Sequence, residues 1–185
     1  MRPFHGVAGD TNVPTMHMSE NLQYAETPKY KALYLPYARE DLGMTLILPH
    51  GDTTEGLDKD IASVYTKARS LLRYEDKVKV ALPKCRLETE YSLASTFVEL
   101  GAQLAFCGKA DFSGITGGTF FIGDVLHKAF VEWDEEGTTA AAATAVVMKR
   151  GISPRAKEFI ADRPFLFFIN DVHGNIFFAG RVSNL

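Results

Sequence analysis

The chain has 185 residues, of which 46% are apolar, 11% aromatic and 23% charged, with a formal net charge of -3. This is ordinary globular composition, enough for one domain with a sizeable core, and its weak negative charge gives no general attraction to nucleic acid or to an anionic membrane. No apolar run approaches the roughly 18 residues of a membrane span, the N-terminal MRPFHGVAGD lacks the apolar centre of a signal peptide, and Cys85 and Cys107 make no disulfide framework and are expected to be buried free thiols.

Residues 1–20 contain Pro3, Gly6, Gly9 and Pro14, which predicts short strands broken by turns. Two strands are expected between Leu22 and Pro36, separated at Thr27-Pro28. Met44 to Leu48 is a nearly continuous apolar run, the pattern of a strand buried on both faces. His50-Gly51-Asp52 is a turn, and Asp52 with Glu55 offers a capping pattern. Leu57, Ile61, Val64, Tyr65, Ala68 and Leu72 recur at helical spacing and predict a helix over 57–72 with one buried stripe. Asp58, Lys59, Lys67 and Arg69 take its solvated side.

From Lys77 to Tyr91 the pattern is extended, with Val78, Val80 and Leu82 alternating with Lys77, Lys79 and Ala81. Ser92 opens a short helix that Gly101 ends, and 106–118 reads as a loop. Thr119 to Glu135 reads as one long strand, with Val125, His127, Ala129, Val131 and Trp133 on one face. Pro164 to Ile169 is a buried strand, Val172 to Asn175 a turn, and Ile176 to Ala179 its hairpin partner.

Catalytic chemistry has little support. The five histidines include no His-Glu-x-x-His pair, no Cys-x-x-Cys is present, and no metal site is expected. A Gly-x-Ser-x-Gly elbow is absent. The glycines of 106–118 lack the Gly-Lys-Ser/Thr terminus of a phosphate loop. Neither an enzyme nor a cofactor is expected.

One stretch has no counterpart elsewhere. After Glu135, Glu136 and Gly137 come Thr138, Thr139, Ala140, Ala141, Ala142, Ala143, Thr144, Ala145, Val146, Val147 and Met148, followed by the basic, turn-rich KRGISPRAK. Alanine favours helix, but no period of 3.6 defines a buried face, and Thr and Val are stiff at χ1. Linkers favour Gly, Ser, Pro or charge. A third option is a segment that enters a tight place in one of its states: extended, Thr138, Ala140, Ala142, Thr144 and Val146 share one face, and all are small. Helix, linker and conditional strand all remain open on composition alone.

EEGTTAAAATAVV, preceded by HKAFVEWDEEG and followed by RPFLFFI and IFFAGRVSN, resembles the hinge and reactive loop of the serpins. NVPTMHMS, LYLPY, GMTLILPHG, VALPKCRLETEYSL, LGAQLAF and ADFSGI stand in that family's order, so the resemblance covers essentially the whole chain. It implies an α+β fold of multi-stranded antiparallel and mixed sheets, a few short helices and a long reactive loop at about 136–157. It further implies that 10–18 is a strand of the sheet next to that loop, and that the chain is a serine protease inhibitor acting as bait. A serpin domain is about twice this long, so the expectation is a partial domain over 1–185, the C-terminal half, able to pair with a complementary N-terminal fragment.

The resemblance also assigns roles. The hinge is Glu135 to Thr144. Counting from Gly137 puts the attacked bond at Gly151-Ile152; Arg150-Gly151 is the alternative favoured by chemistry, because a trypsin-like pocket pairs an aspartate with a cation. Lys84 matches a lysine that pairs with the glutamate at Glu135, and His127 matches a histidine beneath the opening of the sheet. The implied partner is a serine protease, trypsin-like if Arg150 is the residue gripped, and an extracellular setting is favoured. The isolated chain is expected to be cut as a substrate and to expose apolar surface. A non-inhibitory binding or chaperone-type serpin, and an inactive partial product, are the alternatives.

Overall fold

The computed structural model describes residues 1–39, 41–115, 117–134 and 156–185. These divide into two compact units, Met1–Cys85 with Trp133–Leu185, and Arg86–Glu132.

The first unit opens on a hairpin, β1 (Arg2–Gly6) with β2 (Gly9–Val13). A larger sheet follows, built from β3 (Thr15–Glu26), β4 (Tyr30–Pro36), β5 (Leu42–Pro49), β6 (Arg73–Pro83), β9 (Glu158–Ile160), β10 (Phe165–Asp171) and β11 (Ile176–Val182). Its order is β11-β10-β5-β4-β3-β6-β9. Every pairing is antiparallel except β6 with β9, which is parallel.

Between β5 and β6 lie two helices, α1 (Glu55–Asp58) and α2 (Ile61–Leu71). They cover one face of the sheet: Leu57, Tyr65, Ala68 and Leu72 pack on Ala25, Tyr30, Ala32, Ile47, Leu166 and Phe168. Alternation sends Leu33, Leu35, Met44, Leu46 and Phe167 to the other face, where they are also buried. β5 is therefore buried on both sides, as its unbroken apolar run predicts. The expected helix over 57–72 is two helices, and its cap is Asp60, which accepts from the Ser63 N–H at 3.2 Å, rather than the Asp52/Glu55 pattern.

The expected extended run 77–91 starts four residues earlier and divides in two after Pro83, with β7 (Cys85–Ser92) continuing in a different sheet. A bulge explains the blurred pattern at its start. Opposite Glu20 and Leu22 stand Val78 and Glu75, so Asn21 faces both Asp76 and Lys77. Lys77 takes a φ of 57°, and its N–H donates to Asn21 Oδ1 at 3.2 Å. β9 had no expected counterpart.

The second unit contains most of β7, then α3 (Ala94–Glu99), a 3-10 turn at Gln103–Phe106, and β8 (Leu126–Trp133), which pairs with β7 and whose last residue, Trp133, belongs to the first unit. The long strand expected over 119–135 is corrected on its N-terminal side: 119–125 is not strand, and pairing begins only beyond Gly123. Ser92 Oγ donates to Asp124 at 2.7 Å and the Leu93 N–H to the Val125 carbonyl at 2.9 Å, which closes the turn side of the ribbon. Of the thiols, Cys85 is buried, and burial pushes it up to about 11; Cys107 is only half-buried, contrary to expectation.

The Tyr30 hydroxyl is buried in the helix-covered core without a hydrogen-bond partner among the described residues. Deleting an unsatisfied buried polar atom removes its desolvation cost. Tyr30→Phe is therefore expected to leave stability unchanged or raise it by about 1 kcal/mol; urea unfolding checks this, and a loss above about 1 kcal/mol would show a partner.

Candidate functional site

Glu135 to Thr144 and Arg150, Gly151 and Ile152 lie outside the described residues. What can be built from the residues upward is how the chain is fixed on either side of 135–155.

On the N-terminal side the last residue of β8 is the single tryptophan of the chain. Trp133 is 2% exposed. Its ring lies edge-on to Phe167 at 5.1 Å and against Phe165 at 6.5 Å. Its indole N–H donates to the Pro83 carbonyl at 2.9 Å. A buried indole needs such a partner, and Pro83 ends β6, fifty positions away in sequence. The sequence reading placed Trp133 on a strand face but did not identify it as an anchor. Being the sole tryptophan at the end of an apolar alternation was the available signal.

On the C-terminal side β9 lies along β6, pairing Lys79 with Glu158, Val80 with Phe159 and Ala81 with Ile160. The Lys79 N–H donates to the Lys157 carbonyl at 2.8 Å, and the Ala161 N–H to the Ala81 carbonyl at 2.9 Å. Phe159 is fully buried. The Lys157 ammonium stands 5.9 Å from the centre of the Tyr24 ring, a cation–π distance. Beyond β9 the hairpin joins in, with the His5 N–H donating to the Asp162 carbonyl at 2.7 Å, while Arg163 Nε donates to the Pro49 carbonyl. The exposed Lys79–Glu158 ion pair at 3.3 Å adds little to this backbone attachment. Three residues of strand suffice here because β6 offers a ready edge.

Lys84 falls at the joint between β6 and β7, next to the carbonyl that holds Trp133. It is exposed, and its N–H donates to the Pro14 carbonyl at 2.8 Å. His127 lies exposed on β8. Lys128 on the same strand pairs with Glu90 of β7 at 2.9 Å, and the Arg86 guanidinium stacks over the Phe130 ring at 5.2 Å. Among the described residues no group of three or more His, Cys, Asp or Glu side chains could hold a metal ion, and no helix is long and apolar enough to cross a membrane.

In sequence, the stretch of small side chains is flanked by a buried tryptophan and a sheet-edge strand, and the family comparison identifies the class. The family model for serpin, described as serine protease inhibitor, matches residues 1–185, and the chain belongs to that family. An uncharacterized serpin-like protein of Methanosarcina acetivorans is 39% identical over 180 residues, which cover 94% of this chain and 42% of that protein. Leukocyte elastase inhibitor of Bos taurus is 39% identical over 170 residues, covering 87% of this chain and 45% of that protein. The crystal structure of tengpin, a thermophilic serpin in its native state, is 32% identical with a TM-score of 0.80, over 100% of this chain and 49% of that one. The chain thus spans less than half the length of the curated relatives it matches.

Proposed function

We propose that this chain carries the bait segment of a serine protease inhibitor that works as a suicide substrate. A protease serine attacks the loop at 136–157 and forms an acyl-enzyme. The cut loop, Thr138 to Val147, then enters a sheet beside β8 as a new strand, and the tethered protease is distorted before water releases it. Loop insertion of this kind is itself a standard instance of strand addition. Gly137 supplies the pivot, having no Cβ to restrict the backbone, and Ala140 to Ala143 offer no bulk to the sheet.

The observation that carries this reading is the two-sided fixing of the segment: Trp133 locked to Pro83 on one side and β9 bonded to β6 on the other. A loop held at both ends presents its middle to a protease without releasing the cut piece that remains joined to β8. The Trp133–Pro83 bond also supports the proposed ion pair between Lys84 and Glu135, because Lys84 follows Pro83 directly and Glu135 lies two positions past Trp133. The leukocyte elastase inhibitor relative supports a protease as partner, and Arg150 supports a trypsin-like one.

The inserted strand needs a neighbour on each side, and β8 supplies one. The isolated chain is therefore expected to be cut by trypsin between Lys149 and Lys157 without forming a covalent complex, and mass spectrometry of the products gives the bond. A complex stable in detergent would show that this chain traps a protease by itself.

A further inference from the structure

The β1–β2 hairpin forms a two-stranded sheet of its own, and a ribbon of that kind is at best marginally stable by itself. Its cross-strand ion pair, His5 with Asp10 at 2.9 Å, is exposed and adds little. Its two-residue turn is Val7-Ala8. Turns of that length favour a positive φ at one or both central residues, which matches the twist of the strands. Neither Val7 nor Ala8 has one. What orders the hairpin therefore lies outside it.

Three ties do so. Phe4 is buried and lies edge-on to Phe165, with ring centres 6.5 Å apart. The His5 N–H donates to the Asp162 carbonyl at 2.7 Å, two positions past the end of β9. At the tip the Val7 N–H donates to the Ser183 carbonyl at 3.0 Å, and the Ala8 N–H to Asn184 Oδ1 at 2.7 Å. Ser183 and Asn184 directly follow β11, whose last residue, Val182, stands opposite Phe165. Two successive N–H groups thus meet two successive acceptors, the second 176 positions away in sequence. The fit is close: a Cβ on Gly6 would stand 2.8 Å from Asn184 Oδ1 and 3.1 Å from the Ser183 carbonyl oxygen.

We propose that Asn184 is a positioning residue for the C-terminal end of the bait: its carboxamide latches the β1–β2 hairpin, and the latched hairpin, through the His5–Asp162 bond, holds the chain where it leaves β9. The inference rests on the reading of 136–157 as bait and adds what fixes its exit. β9 lays only three residues on β6, so a bond two positions past its end is a sizeable part of its attachment. The latch needs an acceptor oxygen rather than an amide, which an aspartate supplies and an alanine does not.

Hydrogen exchange of the 185-residue chain, followed by mass spectrometry, tests this. Losing one hydrogen bond by Asn184→Ala is expected to speed exchange about fivefold in 4–12 and by the same factor in 158–162, with β5 and β10 changed less than about twofold. Asn184→Asp should restore both rates. Gly6→Ala, whose Cβ displaces the carboxamide from the other side, should act like Asn184→Ala, and the double variant should exchange no faster than Asn184→Ala alone. Asn184 is exposed, so its substitution leaves the core intact. Acceleration confined to 4–12, acceleration shared by β5 and β10, acceleration in neither segment, or failure of Asn184→Asp to restore the rates would overturn the proposal. No protease enters this readout: a hairpin and β9 that open together, in a chain never cut between Lys149 and Lys157, uphold the latch and remove the bait.

Discussion

Thr138→Arg, introduced into this chain within the complete fold, is expected to abolish protease trapping while the loop is still cut. Thr138 is the first side chain past the Gly137 pivot that the proposed mechanism turns inward. An arginine there would have to enter a packed sheet unpaired, at a cost of several kcal/mol. The whole proposed insertion would yield only on the order of 10 kcal/mol, from about ten ladder hydrogen bonds at about 1 kcal/mol net each, less the ordering cost. Because the penalty falls at the first step, it slows entry. About 3 kcal/mol there slows it roughly 100-fold, and deacylation wins. Gel quantification should show at least about 100-fold fewer covalent complexes per loop cleaved. An unchanged ratio would mean that Thr138 is not the point of entry.

Trp133→Ala should be the most damaging single truncation at the attachment of the segment. The side chain is 2% exposed, packs on Phe165 and Phe167, and holds the Pro83 carbonyl. Removing so large a buried ring costs about 3–5 kcal/mol through lost transfer energy and the cavity left behind. Trp133→Phe separates the two contributions, since it keeps most of the packing but leaves the Pro83 carbonyl unpaired, at about 1–3 kcal/mol. Urea unfolding of this chain measures both. A loss below about 1 kcal/mol for Trp133→Ala would show that the end of β8 is not anchored by this residue.

What the sequence made legible was what depends on neighbours in the chain. The apolar run of β5, the helical stripe through Leu57, Tyr65, Ala68 and Leu72, and the β10–β11 hairpin around Gly174 are all local patterns, and each is found. What stayed hidden depends on distant partners. The three residues of β9 form a strand only because β6 presents an edge, and nothing within Glu158–Ile160 announces it. The bulge at Lys77 is decided by Asn21 across the sheet. The strand predicted from Thr119 ran through Gly123, a break that the alternation farther on obscured. At the candidate site the small-residue segment and its family likeness were visible at once, whereas its anchor required knowing that Trp133 meets Pro83, fifty positions earlier.

In the proposed mechanism a segment without bulk enters a sheet once it is cut. The most direct test is the melting temperature of the complete assembly, this chain with the rest of the serpin fold, before and after cleavage of the loop within residues 149–157. Insertion releasing on the order of 10 kcal/mol should raise the melting temperature by at least about 10 °C, with Thr138 to Val147 becoming protected from hydrogen exchange. Equal melting of the cut and intact forms, with those residues still exchanging freely, would rule out insertion.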